Sequence, residues 1–236
     1  MTKKATRTIV LTAIASLAVL MSAACASPSE PVTPPTTSMF IVDTTGSAAA
    51  TDLLAAQQQR LAQAVAELPV GSRVVLRALD SDVTASCTDV VFTMPQQANP
   101  ALEARVRDAN RAEVAGRFAD VVACAQTNAR GRTELWGGIA EAVRAYPDAT
   151  TITVASDGCE NSVQSEICTP DRLTDPAALV AEIPPELAPR LATGATITYV
   201  GVGRGTGLDA GSVERLRQVV SMYTELMGAT ASFVTV

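Results

Sequence analysis

Three short segments of this chain place oxygen-bearing side chains where apolar runs give way to turns. Asp43-Thr44-Thr45-Gly46-Ser47 offers one carboxylate and hydroxyls at alternate positions, and Arg132-Thr133 adds a hydroxyl just before a helical pattern. Ser156-Asp157-Gly158 brings a second carboxylate at the end of a later apolar run. Apart from Arg132, these polar groups are oxygen donors, which suit Mg²⁺, Mn²⁺ or Ca²⁺ rather than zinc or copper. Two carboxylates balance a divalent charge, and neutral hydroxyls leave the ion electrophilic enough to accept a further carboxylate from outside. Each segment alone is also ordinary turn chemistry, because Asp and Thr cap helices and Ser-Asp-Gly is a common turn string. The three in order, each at a strand end or before a helix, point to one site.

The elements that must position them alternate. Met39-Phe40-Ile41-Val42 is a continuous apolar run ending at Asp43, as a buried parallel strand would. Leu54, Leu61, Val65 and Leu68 then share a helical face that stops at Pro69 and Gly71. Arg73 to Leu79 and Val90 to Thr93 read as a strand pair close in sequence, a hairpin. A long helix follows Pro100, with Leu102, Val106, Val114, Phe118 and Val121 on its inner face, and another starts after Thr133. Thr151 to Ala155 and Thr196 to Val202 are strands, Val213 to Met227 an amphipathic helix, and Ser232 to Val236 a last strand. This order predicts an α/β fold: a Rossmann-like, mostly parallel central sheet with helices on both faces and one antiparallel strand. Ligands of such folds sit beyond the carboxyl ends of the strands, which singles out Asp43, Asp157 and, in its loop, Thr133.

These motifs resemble the metal-ion-dependent adhesion site of von Willebrand factor A domains. Asp43-x-Thr45-x-Ser47 matches the family's Asp-x-Ser-x-Ser with Thr in the middle, Thr133 stands before a helix, and Asp157-Gly158 ends a later strand. Tyr199-Val200-Gly201-Val202-Gly203 matches the strand ending commonly seen there. The resemblance spans residues 38–236. It implies that Ser47, Thr45 and Thr133 hold a metal through hydroxyl oxygen, with Asp43 and Asp157 holding it directly or through water. It also implies a binding module rather than an enzyme, its partner an extracellular protein with an exposed Asp or Glu. A structural domain of the same kind without metal is a further reading.

A rival comes from catalysis. Asp43-Thr44-Thr45-Gly46-Ser47 also resembles the aspartyl-phosphate motif of haloacid-dehalogenase-like phosphatases, with Asp43 as nucleophile and Asp157 as magnesium ligand. That family uses a lysine on the transferring phosphoryl group, and no lysine follows Lys4. Arg130 or Arg132 would have to substitute. The glycine-rich stretch from Gly201 to Gly207 has Thr206 where a dinucleotide fingerprint needs its third glycine, so it reads as a loop. Trp136 and Tyr223 read as packing residues.

Composition narrows the classes further. The 236 residues are 47% apolar and 18% charged, a folding composition, with only 3% aromatics. Histidine is absent, which removes Ser-His-Asp and Cys-His catalysis and any imidazole-bound zinc. The net charge of -6 argues against nucleic acid as a partner. Residues 1–24 read as a signal peptide: a basic start at Lys3, Lys4 and Arg7, an apolar stretch from Ile9 to Met21, and Ser22-Ala23-Ala24 before Cys25. The small residues before Cys25 resemble a lipobox, although Ser22 stands where Leu is usual. The expectation is a lipoprotein on the outer face of the cell membrane, with plain secretion as the alternative. Residues 25–37, rich in Pro, Ser and Thr, would be the tether, and residues 38–236 the domain. Without the leader, 15 basic groups face 24 acidic ones, a charge of -9. The four cysteines after Cys25 favour disulfides in an exported chain. Cys159 and Cys168 bracket a short polar loop and are paired on that ground, leaving Cys87 with Cys124.

Overall fold

In a computed structural model, residues 34–45, 51–79, 87–95, 100–128, 132–162 and 166–235 are described. Strands β1 (Thr37–Asp43), β2 (Arg73–Leu79), β3 (Val90–Thr93), β4 (Ala149–Ala155), β5 (Thr196–Val200) and β6 (Thr230–Val234) form one sheet in the order β3-β2-β1-β4-β5-β6. Only β3 runs antiparallel, paired with β2 from Arg73↔Thr93 to Leu76↔Val90. The helices are α1 (Thr51–Glu67), α2 (Pro100–Asn128), α3 (Leu135–Ala145), α4 (Pro176–Ala181) and α5 (Ala210–Leu226). The α/β, mostly parallel architecture with one antiparallel strand is the one expected.

The pleat of β1 explains why both faces are covered. Successive side chains point to opposite sides of a strand. Met39 and Ile41 enter a core with Leu135, Ile139 and Val143 of α3 and Leu216, Val220 and Tyr223 of α5. Phe40 and Val42 enter another with Leu61 and Val65 of α1 and Val114, Phe118 and Val121 of α2. A strand flanked by β2 and β4 and buried along all seven residues reads as continuous apolar sequence for this reason. On β2, Val75 and Leu79 follow the first core, and α3 lies close above them. A Cβ on Gly138 of α3 would collide with Leu79 Cδ2, so the glycine admits the helix to this depth.

The elements differ from expectation in detail. β1 begins at Thr37, one residue inside the expected tether. Thr37 is buried because its hydroxyl donates to Asp148 at 2.8 Å, a tertiary bond that hides a polar residue inside a strand. Leu53, rather than Leu54, is fully buried in α1 and packs on Ala155 and Val200, while Leu54 is half-buried. Leu102 is 45% exposed, and the buried stripe of α2 begins at Asn110. An apolar residue at helical spacing is buried only where another layer lies against it. β5 stops at Val200 and the chain turns over residues 201–206; β6 runs Thr230–Val234, two residues earlier than read. The short helix α4 was not foreseen, although Asp175 caps it by accepting from Ala178 N–H at 3.1 Å and Pro176 opens it.

Disulfides join Cys159 to Cys168 and Cys87 to Cys124, with Cα separations of 5.4 and 6.1 Å. The second ties the segment leading into β3 to the C-terminal part of α2. Cys25 lies outside the described residues. Among those described, no helix is long and apolar enough to cross a membrane.

Candidate metal centre

At the carboxyl edge of the sheet, β1 delivers Asp43 and β4 delivers Ser156 and Asp157, side by side because the two strands pair directly. Asp43 is fully buried. Its Oδ1 accepts the Thr45 backbone N–H at 2.8 Å and the Thr45 hydroxyl at 2.6 Å. Its Oδ2 accepts the Ser156 hydroxyl at 2.7 Å. Thr45 Oγ1 is also hydrogen-bonded to Thr133 Oγ1, across 88 positions of sequence. Thr133 is held there by a backbone bridge to Asn161, 3.2 Å from its own N–H and 3.0 Å to its carbonyl. Asp157 is buried at the edge of the same cleft, and its Oδ1 accepts the Cys159 N–H at 2.8 Å. The turn after it needs a left-handed residue, supplied by Gly158 at φ 82°. Its N–H donates to Ser156 Oγ at 3.1 Å.

The structure therefore brings together four of the five expected ligands. Thr45, Thr133 and Asp157 line one cleft of about 230 Å³, with Asp43 directly behind Thr45. Ser47 lies outside the described residues, as does Arg130. Arg132 is exposed, as expected of a solvated loop charge.

Burial raises the Asp43 carboxyl to about 6, opposed by the hydrogen bonds from Thr45 and Ser156; the like charge of Asp157 raises it further. Among the described residues, no three of His, Cys, Asp and Glu gather as a ligand group. The Thr45 and Thr133 hydroxyls and the Asp157 carboxylate line the cleft, with the Asp43 carboxylate behind Thr45. That donor set fits a hard divalent cation, which takes carboxylate and hydroxyl oxygens.

Sequence reasoning gave no role here to Glu160. It is 3% exposed, and its Oε2 accepts the Trp136 backbone N–H at 3.0 Å. The residue at the α3 N-cap position, Glu134, makes no side-chain cap, so Glu160 caps that helix from another part of the chain. Burial pushes its carboxyl up to about 7, against hydrogen bonds from Ser162, Trp136 and Leu135. Nothing in the spacing of residues 135 and 160 signals this pairing. Trp136 and Tyr223 are packing residues as read, with ring centroids 4.3 Å apart.

Fold and site together define an α/β domain with an oxygen-donor cleft at the carboxyl edge of its sheet. No protein-family model and no curated protein matches the chain. Among solved structures it is similar to proximal thread matrix protein 1 from the mussel byssus, at 14% identity and a TM-score of 0.41. That match covers 84% of this chain and 49% of the byssus protein, so the chain spans about half the length of that relative.

Proposed function

We propose that the chain is an exported binding module similar to von Willebrand factor A domains, anchored through a lipid on Cys25, that uses a divalent cation to engage an acidic group on a partner protein. One observation carries the reading: the Thr45 and Thr133 hydroxyls, from loops remote in sequence, meet in a cleft flanked by Asp157 and backed by Asp43. Thr45, Thr133 and Asp157 would hold Mg²⁺, or Mn²⁺ or Ca²⁺, with Ser47 from the same loop as Thr45 and Asp43 behind them. The cation would supply an electrophilic position for a carboxylate from outside. The residues' own part is to keep two hydroxyl oxygens and one carboxylate facing the cleft, and to hold Asp43 where its charge is felt. The phosphatase reading has less support, since both Asp43 oxygens are engaged by donors and a nucleophile needs one of them open.

Calorimetric titration with MgCl₂ and MnCl₂ tests the reading. Saturable binding and a raised melting temperature are expected, both lost in Thr133→Ala and Asp157→Ala. At a hundredfold excess over Kd the linkage stabilisation is about 2.7 kcal/mol. No binding of either ion overturns the metal reading, and Mg²⁺-dependent turnover of a generic phosphate ester would replace it by the enzymatic one. Crosslinking on intact cells identifies the partner.

A further inference from the structure

The sheet is open at β6. This strand is last in the order and pairs on one side only, with β5, without a register shift. Its hydrogen bonds show which backbone groups face outward. Thr230 N–H donates to the Ala195 carbonyl at 3.1 Å and the Val234 carbonyl accepts from Gly201 at 3.2 Å, both on the β5 side. Amide groups of successive strand residues point to alternate sides, so those of Ala231 and Phe233 face away from β5. Among the described residues, none pairs with them. Sheet edges are commonly blunted by charge, proline or a bulge. The run Thr230-Ala231-Ser232-Phe233-Val234 has none of these. Beside the edge, a groove of about 440 Å³ lies between α5 and Phe233, lined by Arg217, Gln218, Ser221 and Met222.

This strand is complementary to itself. Two copies set antiparallel about a two-fold axis at Ser232 place Ala231 of one opposite Phe233 of the other, with their outward N–H and C=O groups facing. Ser232 then stands opposite Ser232, and its amide groups face its own β5, as the non-bonded positions of such a ladder require. The side chains agree. Half-exposed Phe233, on the α5 side of the sheet, meets the small Ala231, and the strand sets no charge against a like one. The helix supplies a further pair. α5 ends at Leu226 and β6 begins at Thr230, so the helix runs back along the strand. At about 1.5 Å per helical residue and about 3.3 Å per strand residue, Ser221 stands level with Ser232. The same axis relates Arg217, whose guanidinium is 3.8 Å from Glu214, to exposed Glu225 on α5 of the second copy. Opposite charges therefore meet at both ends of the helix contact. We propose that the β6 edge is a homodimer interface, in which two copies of this chain build one continuous sheet by antiparallel β6 pairing centred on Ser232. The two oxygen-donor clefts then open at opposite ends of that sheet. The pairing is independent of the metal reading.

Sedimentation velocity on the Cys25→Ser protein, in EDTA, reads the association without a lipid, a metal or an intermolecular disulfide at that position. A reversible monomer–dimer equilibrium with a Kd below about 1 mM is expected. Ala231→Pro removes an outward N–H and leaves the β5 ladder intact, since proline is tolerated on a strand edge. This variant is expected to be a monomer with the circular dichroism of the parent. Arg217→Glu sets acids against each other across the axis and is expected to weaken the dimer at least tenfold. Combining it with Glu225→Arg is expected to bring the dimer back. A parent protein that stays monomeric up to about 1 mM overturns the proposal. A dimer equally strong in folded Ala231→Pro overturns it as well, by placing the contact elsewhere. An unaltered dimer in Arg217→Glu refutes the axis at Ser232, and this comparison decides alone should Ala231→Pro fail to fold.

Discussion

Ser156 donates its hydroxyl hydrogen to Oδ2 of Asp43 at 2.7 Å, joining the ends of two neighbouring strands across 113 positions of sequence. The Ser156 hydroxyl oxygen also accepts the Gly158 N–H, so one side chain sets both the buried carboxylate and the turn that presents Asp157.

Replacing it isolates that link. Ser156→Ala leaves a buried carboxylate oxygen and a turn N–H without their partner, a change of about 1–3 kcal/mol in stability. Urea denaturation at neutral pH is expected to show it without a change in slope. A variant as stable as the parent would mean that water replaces the hydroxyl on both sides.

Glu160 predicts a pH dependence. Its folded carboxyl sits near 7, above an ordinary 4.5, because burial penalises the charge. Glu134 and Tyr223 are coupled to it electrostatically and Glu182 lines a small cavity beside it, with none of them supplying a positive charge. The unfolded chain therefore releases this proton first, and stability falls as pH rises from about 4.5 to about 7, by at most about 3 kcal/mol. Glu160→Gln keeps an oxygen for the Trp136 N–H and removes the titration. Denaturation curves at pH 5 and pH 8 should show the parent losing more stability than the variant between them. Equal losses would assign the dependence to other groups.

The Cys159–Cys168 bridge closes a short loop directly after Asp157. In the chain-entropy account such a loop contributes about 2–3 kcal/mol. Its larger expected effect is on Asp157, whose Oδ1 is held by the Cys159 N–H. The Cys159→Ser, Cys168→Ser double variant should stay folded on the remaining bridge and core. Its Mg²⁺ affinity should fall about tenfold, or about 1.4 kcal/mol. Unchanged affinity by calorimetry would reduce the bridge to a loop staple.

Cys25→Ser tests the anchor. With the leader still cleaved, the variant is expected in the soluble fraction and the parent with membranes. Membrane fractionation of the processed variant would point to another attachment.

What the sequence made legible, and what it hid, follows from the range of the forces involved. The parallel sheet could be read because β1 is buried on both faces and so apolar throughout, apart from its hydrogen-bonded ends. Asp43, Thr45 and Asp157 could be read because strand ends in such sheets meet at one edge. Thr37 reads as tether because its burial depends on Asp148, far along the chain. Glu160 was invisible for the same reason, since the helix it caps begins 25 residues earlier. Leu102 failed oppositely: its helical spacing was sound, but nothing local tells whether another layer covers that turn. The start of α4 is marked locally, by Asp175 as cap and Pro176 after it.

The close seating of Gly138 against Leu79 has a kinetic consequence. A helix resting that deep on β2 has little room to slide, and its first turn is further fixed by Glu160 and by the bridge from Thr133 to Asn161. Thr133 thus waits in position before any ligand arrives. If the proposed function holds, a partner reaching the cleft meets Thr133 already in place, and association rate constants are expected in the ordinary range of about 10⁵–10⁷ M⁻¹s⁻¹. Differences in affinity between partners should then be written in how long each one stays.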